Sequence, residues 1–292
     1  MGSSETISSK IRRAQLDGQW YPAGPDEVRK TAEDWRGYME EAPAPEGEIR
    51  AVIAPHAGWV YSGRLAAKAV FQAARSLGPD GPDLAVVLGG HLPTDAPVIA
   101  FGEEQWATPL GPLNIEGELN DLLAGELRPK IWRGPTDDNT IEVQLPLVKL
   151  FCPKAALWPL RVPPSSAALA LGRVLAELSK TRTVLVVAST DLTHYGRAYG
   201  FAPKGGGEEG EAFRLKNDLA FIEAAMRLDP EAMMEAGEKL RAACSSGAAA
   251  AAAEMAKAQG LAPALLGHYS SFDVRPAPQS VGYAAVAYLS AG

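Results

Sequence analysis

Side chains able to bind a metal or move a proton near neutral pH are scarce in this chain: four histidines and two cysteines in 292 residues. His56, His91 and His194 each come shortly after an apolar run of strand length, namely Ile49 to Ala54, Leu84 to Leu88 and Thr183 to Ala188. In an open α/β sheet, ligands bind outside the carboxyl ends of the strands, so imidazoles placed there converge on one crevice if the strands are neighbours. A lone histidine is most often a packed or capping residue, but three in the same topological place point to a site. Gly89-Gly90 before His91 lets the backbone approach whatever that ring holds. Asp191 stands three residues before His194, and one helical turn between them would put carboxylate and imidazole on one face. Such a carboxylate fixes a tautomer and raises basicity, which suits metal support or general-base work. The plainer alternative is an Asp that caps a helix with a His packed on it. Cys244 lies just ahead of six alanines, Ala248 to Ala253, and a helix starting there would lower its thiol pKa. Its competing reading is a buried small hydrophobe, which is how Cys152, at a helix end before Pro153, reads.

Elements that would position these groups alternate along the chain. Strand-like runs are Ile49–Ala54, Leu84–Leu88, Ala96–Phe101, Ala156–Leu160, Thr183–Ala188, Pro263–Leu266 and Val281–Leu289. Helical spacing and composition cover Leu65–Leu77, Gly117–Ala124, Glu142–Phe151, Ser165–Ser179, Glu211–Met226, Pro230–Ala236 and Gly247–Gln259. Strands alternating with helices predict an α/β fold with a mostly parallel central sheet flanked by helices. No linker divides the chain and no repeat is visible, so residues 1–292 read as a single domain. Lys204–Glu211, rich in Gly and Glu, reads as a surface loop.

Composition narrows the function. Hydrophobic residues at 47% and charged residues at 22% are those of a globular protein, and this length buries a full core without staples. A net charge of −7 argues against a nucleic-acid partner held by a basic face. No apolar run is long enough to span a membrane, the first residues lack a secretory apolar segment, and two cysteines make no disulfide framework. The expectation is a cytoplasmic protein acting on a small molecule or another protein. A G-x-S-x-G elbow, a P-loop, a G-x-G-x-x-G after a strand and CxxC pairs are all missing from the sequence, which removes serine hydrolases, phosphate cradles and structural zinc.

Read in order, further segments resemble the Memo family, whose prokaryotic members are called AmmeMemoRadiSam system protein B. They are Arg13 to Pro22 with its Gly18-Gln19-Trp20-Tyr21-Pro22, Ala54-Pro55-His56-Ala57-Gly58-Trp59 on to Gly63, and Thr108-Pro109-Leu110-Gly111. Glu142-Val143-Gln144-Leu145-Pro146, Ser189 to Tyr195, Cys244 to Gly247 and Ser280-Val281-Gly282-Tyr283-Ala284 complete the series. The resemblance implies a fold like that of class III extradiol dioxygenases. It also implies a pocket in which His56, His91 and Cys244 hold a transition metal, iron or copper first and zinc as the further option, beside catalytic His194 and Asp191. By the same likeness Trp59, Asn139, Glu142 and Tyr195 are expected to contact substrate. Asn139 occupies the position of a common pocket histidine of the family, and an amide cannot shuttle a proton near neutral pH. Two activities follow from the likeness: a metal-dependent, dioxygenase-like redox enzyme, or a non-catalytic accessory protein that keeps the pocket for a small molecule or peptide. The accessory reading brings in AMMECR-type and radical SAM proteins as partners.

Overall fold

The computed structural model describes residues 10–41, 46–125 and 127–290. Nine residues at the start, four between the second helix and the first long strand, Glu126 and the last two residues lie outside it.

In chain order, β1 (Ile11–Arg12) leads into α1 (Pro25–Asp34) and α2 (Arg36–Glu40), then β2 (Ile49–Ala54), α3 (Arg64–Ser76), β3 (Leu84–Gly89) and β4 (Ile99–Phe101). Short strands β5 (Gln105–Trp106), β6 (Leu113–Asn114) and β7 (Lys130–Trp132) precede α4 (Leu145–Phe151), β8 (Ala156–Arg161) and α5 (Ser166–Leu178). The chain closes with β9 (Val184–Ser189), β10 (His194–Tyr195), α6 (Glu208–Met226), α7 (Pro230–Leu240), α8 (Ser246–Gln259), β11 (Ala262–Ser270), α9 (Ser271–Val274) and β12 (Ser280–Leu289).

The main sheet runs β10-β12-β2-β9-β3-β8-β4-β7, with β11 also on β12. Its centre, β2-β9-β3-β8, is parallel, and antiparallel pairs flank it. Strands buried on both faces carry apolar residues without interruption, and β3 and β9 are buried along their whole length. The period of two still sorts them: Ala51, Ile53, Val86 and Leu88 face the core under α5, α6, α7 and α8. Val52, Ala54, Ala85 and Val87 face the core under α1, α3 and α4. Ala54 pairs with Ser189, and Leu88 with Ala188, so β2, β9 and β3 end level with one another. The segments leaving those three ends are therefore neighbours, which is the arrangement the sequence predicted for the histidines.

Several boundaries differ from the sequence reading. Gly117–Leu123 is a 3-10 segment, and the predicted Glu142–Phe151 helix is split into a 3-10 turn, Glu142–Gln144, and α4 with Pro146 in its first turn. The strand expected over Ala96–Phe101 begins only at Ile99, past Pro97, which has no N–H to give to a ladder. Helix α6 starts at Glu208 inside the expected loop, and α1, α2 and the π turn Trp59–Gly63 were not anticipated.

Helix α8 shows how small residues set this packing. Ala248 through Ala253 are all fully buried between α5 and the sheet. On the facing helix, a Cβ at Gly172 would come 2.6 Å from Glu254 Cβ and 2.7 Å from the Ala251 carbonyl oxygen. In an exposed helix Gly→Ala gains about 1 kcal/mol, whereas overpacking a close interface costs about 1–3 kcal/mol. Gly172→Ala is expected to lower the urea midpoint, against helix propensity; a raised midpoint would contradict this close approach.

Candidate metal centre

Beneath the sheet's carboxyl edge, one short stretch carries two functions. At the end of β9, Thr190 and Asp191 bond to the turns that bear His56 and Cys244. Asp191 Oδ1 accepts from the His56 N–H (2.7 Å) and the Ala57 N–H (3.2 Å), and the Asp191 carbonyl accepts from Cys244 N–H (3.1 Å). Thr190 donates its own N–H to the Ala54 carbonyl (2.9 Å), and its hydroxyl oxygen accepts from Ser245 N–H (3.0 Å).

A second stretch, 138–144, supports both histidine turns from the other side. Asp138 accepts from His91 N–H (3.2 Å), and Thr140 Oγ1 from Gly90 N–H (2.8 Å). Asn139 Nδ2 donates to the His56 carbonyl (3.1 Å), and Gln144 Nε2 to the Pro55 carbonyl (2.8 Å). Gly89 is required here because a Cβ would stand 2.2 Å from Thr140 Oγ1. Gly90, at φ 108°, turns the chain so that His91 points back over the site.

These supports bring three donor atoms together. His56 Nε2 lies 3.3 Å from His91 Nε2 and 3.2 Å from Cys244 Sγ, and the ligand atoms of the three residues all fall within 4.8 Å of one another. The other nitrogen of His56 lies 3.1 Å from Ser189 Oγ. With Nδ1–H donated there, Nε2 is the nitrogen that gives up its proton and turns a lone pair to the cluster when a metal binds. Two imidazoles and a thiol packed this tightly form a donor set fit for one transition-metal ion.

Electrostatics supports the same view. Burial alone would push the Cys244 thiol up, but His56, His194 and His91 overcome it and hold the thiol well below its ordinary range. Burial presses His56 down, yet Cys244 and Asp191 raise it to about 9. His194 follows the same pattern, raised to about 10 by Asp191 and Cys244 against burial. Cys152, by contrast, is pushed up to about 12 by burial, as a packed hydrophobe would be.

His194 and Asp191 meet, though not through a helix. Asp191 sits in an irregular segment and His194 opens the short strand β10, paired with Val281. The Leu192 N–H is drawn instead to the Gly282 carbonyl, which holds the segment extended. Asp191 Oδ2 is 3.9 Å from His194 Nε2 and equally far from His56 Nε2. That is an ionic contact rather than a hydrogen bond, and His194 Nε2 is a buried nitrogen without a bonded partner. The helix-capping alternative for Asp191 is likewise replaced, since its carboxylate caps the His56 turn.

A cavity of about 780 Å³ opens over this cluster. His56, His91, Asp191, His194 and Asn139 line its floor, so of the residues expected to contact substrate only Asn139 is there. Trp59 is buried with its indole N–H given to the Val143 carbonyl (3.2 Å). Glu142 is buried too, and its Oε1 accepts from the Gln15 and Leu16 N–H groups and the Tyr21 hydroxyl. Tyr195 packs against Phe201 and Phe213 and donates its hydroxyl to the Gly205 carbonyl (2.8 Å). Those three lie off the lining of this cavity and make these hydrogen bonds within the fold. The walls come from Trp20, Tyr61, Tyr199, Tyr283 and the segment 275–279. Trp20 and Tyr283 lie within matched motifs, but neither side chain titrates near neutral pH. Tyr199 and 275–279 gave no signal of spacing or type.

Fold and cluster together define a class: an α/β protein with a two-histidine, one-cysteine centre at the carboxyl end of a parallel sheet. The Memo-like protein family matches residues 12–287, and the chain belongs to that family. It is 31% identical to a MEMO1 family protein of Pyrococcus abyssi over 94% of this chain and 98% of that one. A MEMO1 family protein of Thermococcus kodakarensis is 30% identical over 95% and 99%. The crystal structure of an uncharacterized protein from Escherichia coli K12 superposes with a TM-score of 0.55, covering 82% of this chain and 99% of that one. At 12% identity that likeness shows the fold alone. Among the described residues no helix is long and apolar enough to cross a membrane.

The charges of His56, His194 and Cys244 make the stability of metal-stripped protein depend on pH. Folded, the two raised imidazoles keep their protons through neutral pH while Cys244 has lost its own. Unfolded, histidine releases its proton near pH 6.5 and a thiol keeps its proton to about 8.5. Between about pH 7 and 8.5 the folded cluster therefore binds more protons than the unfolded chain, and stability falls as pH rises. Denaturation of metal-stripped protein across this interval should show that fall, and His194→Gln should flatten it. A slope unchanged by the substitution would contradict the protonation of His194.

Proposed function

We propose that this protein is a metal-dependent redox enzyme of dioxygenase type, with one iron or copper ion held by His56, His91 and Cys244 and a small organic molecule bound in the cavity above. The observation that carries the reading is the convergence of two imidazole nitrogens and one sulfur from three separate turns, with both histidines lining a cavity large enough for a substrate. Mixed nitrogen and sulfur donors suit iron, copper or zinc and disfavour magnesium or calcium, and of the suitable three only iron and copper change oxidation state. When bound, the ion supplies a Lewis acid and a one-electron redox centre.

The chain's own residues do the rest. Asp191 keeps the His56 turn fixed through two backbone N–H groups, while its second oxygen favours the protonated form of His194. His194, a cavity-lining residue whose buried Nε2 has no bonded partner, gives or takes the substrate proton. Asn139 braces the His56 carbonyl and carries no proton. Aromatic walls of Trp20, Tyr61 and Tyr199 bury the body of the substrate and limit water at the centre.

A second reading, an accessory protein that holds a ligand or peptide without turnover, is favoured by one observation. Val60 on the cavity rim is 77% exposed, a large apolar side chain left for something to cover. In that reading the partners are those of the three-component system, AMMECR-type and radical SAM proteins.

Purified without chelator, the protein is expected to carry close to one transition-metal ion per chain, lost in the His56→Ala, Cys244→Ala double variant. Iron- or copper-loaded protein should consume dioxygen with catechol-type substrates. His194→Gln should lower that rate by about 10²-fold or more while keeping the metal. Metal binding with no dioxygen uptake across a broad panel would favour the accessory reading. Failure to bind iron, copper or zinc on anaerobic reconstitution would overturn the metal centre.

A further inference from the structure

We propose that Arg241 is a positioning residue that locks the Cys244 turn to the aromatic wall carried by Tyr199. Arg241 follows the last residue of α7 and stands three residues before Cys244. Its backbone is left-handed, at φ 54°, in the helix-terminating position where glycine is the usual occupant. An arginine there accepts backbone strain that glycine or asparagine would avoid, so its side chain must return something.

What the side chain does is visible. One guanidinium nitrogen donates to the Gly200 carbonyl (3.2 Å), the other to the Tyr199 carbonyl (3.1 Å), and the group lies 4.7 Å from the centroid of the Phe201 ring. These carbonyls close the 3-10 turn Arg197–Tyr199, which ends in Gly200 at φ 60°. The Tyr199 ring is thereby set 5.0 Å from the His194 ring, forming a wall of the cavity. Two carbonyls and a ring face are held at once by a planar fork, a task a lysine ammonium cannot reproduce.

The Tyr199 turn is closed on β10 by the Gly196–Phe201 bridge, and Arg241 adds a direct tie from its outer residues to the run that leads to Cys244. Cys244 is tied to the end of β9 through the Asp191 carbonyl, and His194 is held by β12, but Tyr199 lies on an exposed turn beyond both. Arg241 makes that turn move with the residue run that delivers the sulfur. Ligand contact with Tyr199 is then felt at Cys244. That consequence rests on the cavity being the binding site proposed above, whereas the clamp itself is a statement of geometry, tested below without metal or substrate.

The test reads the histidine ring C–H signals of metal-free protein by NMR, a spectrum of only four histidines in which His194 is assigned by its loss in His194→Gln. Tyr199→Ala defines where the His194 signal falls without the neighbouring ring. Arg241→Asn keeps a residue tolerant of the left-handed backbone but removes the clamp, and Arg241→Ala removes both. In each, the His194 signal is expected to move most of the way to its Tyr199→Ala position, with His268 unmoved, and Arg241→Lys is expected to fall between. If Arg241→Ala does not fold, Arg241→Asn carries the test alone. A folded Arg241→Asn whose His194 signal stays at the wild-type position overturns the proposal, as does a His194 signal indifferent to Tyr199→Ala. Absence of metal or of dioxygen uptake would sink the proposed function and leave this result standing.

Discussion

The carboxylate of Asp191 and the hydroxyl of Thr190, side by side at the end of β9, hold together what the chain keeps far apart. One binds the amides of the His56 turn, and the other binds the amide after Cys244. A buried carboxylate that accepts from two N–H groups is a charge-assisted support, stronger than a neutral bond and costly to break. Without it, the imidazole of His56 would lose its orientation and the sulfur its distance. The short contact between His56 and Cys244 depends on this pair, while His91 is brought in by Asp138 and Thr140.

The sheet makes that pair effective. Because β2, β9 and β3 end level, the turns leaving them need to reach only a few ångströms to touch. Glycine at 89 and 90 lets the His91 turn settle against Thr140 and Arg161, where any Cβ would collide. The polar support is paid for by segment 138–144, whose side chains face inward and find backbone partners. Glu142 extends the same logic outward, gathering the N-terminal segment so that Trp20 reaches the cavity.

Much of this was legible in the chain, for physical reasons that can be named. Parallel strands buried on both faces leave uninterrupted apolar runs, so β2, β3 and β9 could be read to within a residue. Histidines set just past those runs marked the crevice. Elements defined by tertiary support rather than pattern were not readable: α1 and α2 are mostly polar, and the π turn at Trp59–Gly63 follows from packing on Trp20 and Trp35. The hydrogen bonds made by Trp59, Glu142 and Tyr195 were unreadable for a related reason. Their types suit a pocket, but only coordinates show that their polar atoms are already bonded to backbone or to Tyr21. Asp191 was found by its spacing from His194, yet its strongest bonds go to His56 and Ala57, more than a hundred residues away.

X-ray absorption spectroscopy of the protein loaded with one zinc ion per chain tests the centre most directly, because it counts sulfur neighbours without relying on turnover. One sulfur scatterer at about 2.3 Å with imidazole nitrogens at about 2.0–2.1 Å is expected, and Cys244→Ala should remove the sulfur shell. A spectrum built from nitrogen and oxygen alone, or one that Cys244→Ala leaves unchanged, would contradict the convergence of His56, His91 and Cys244 on a single ion.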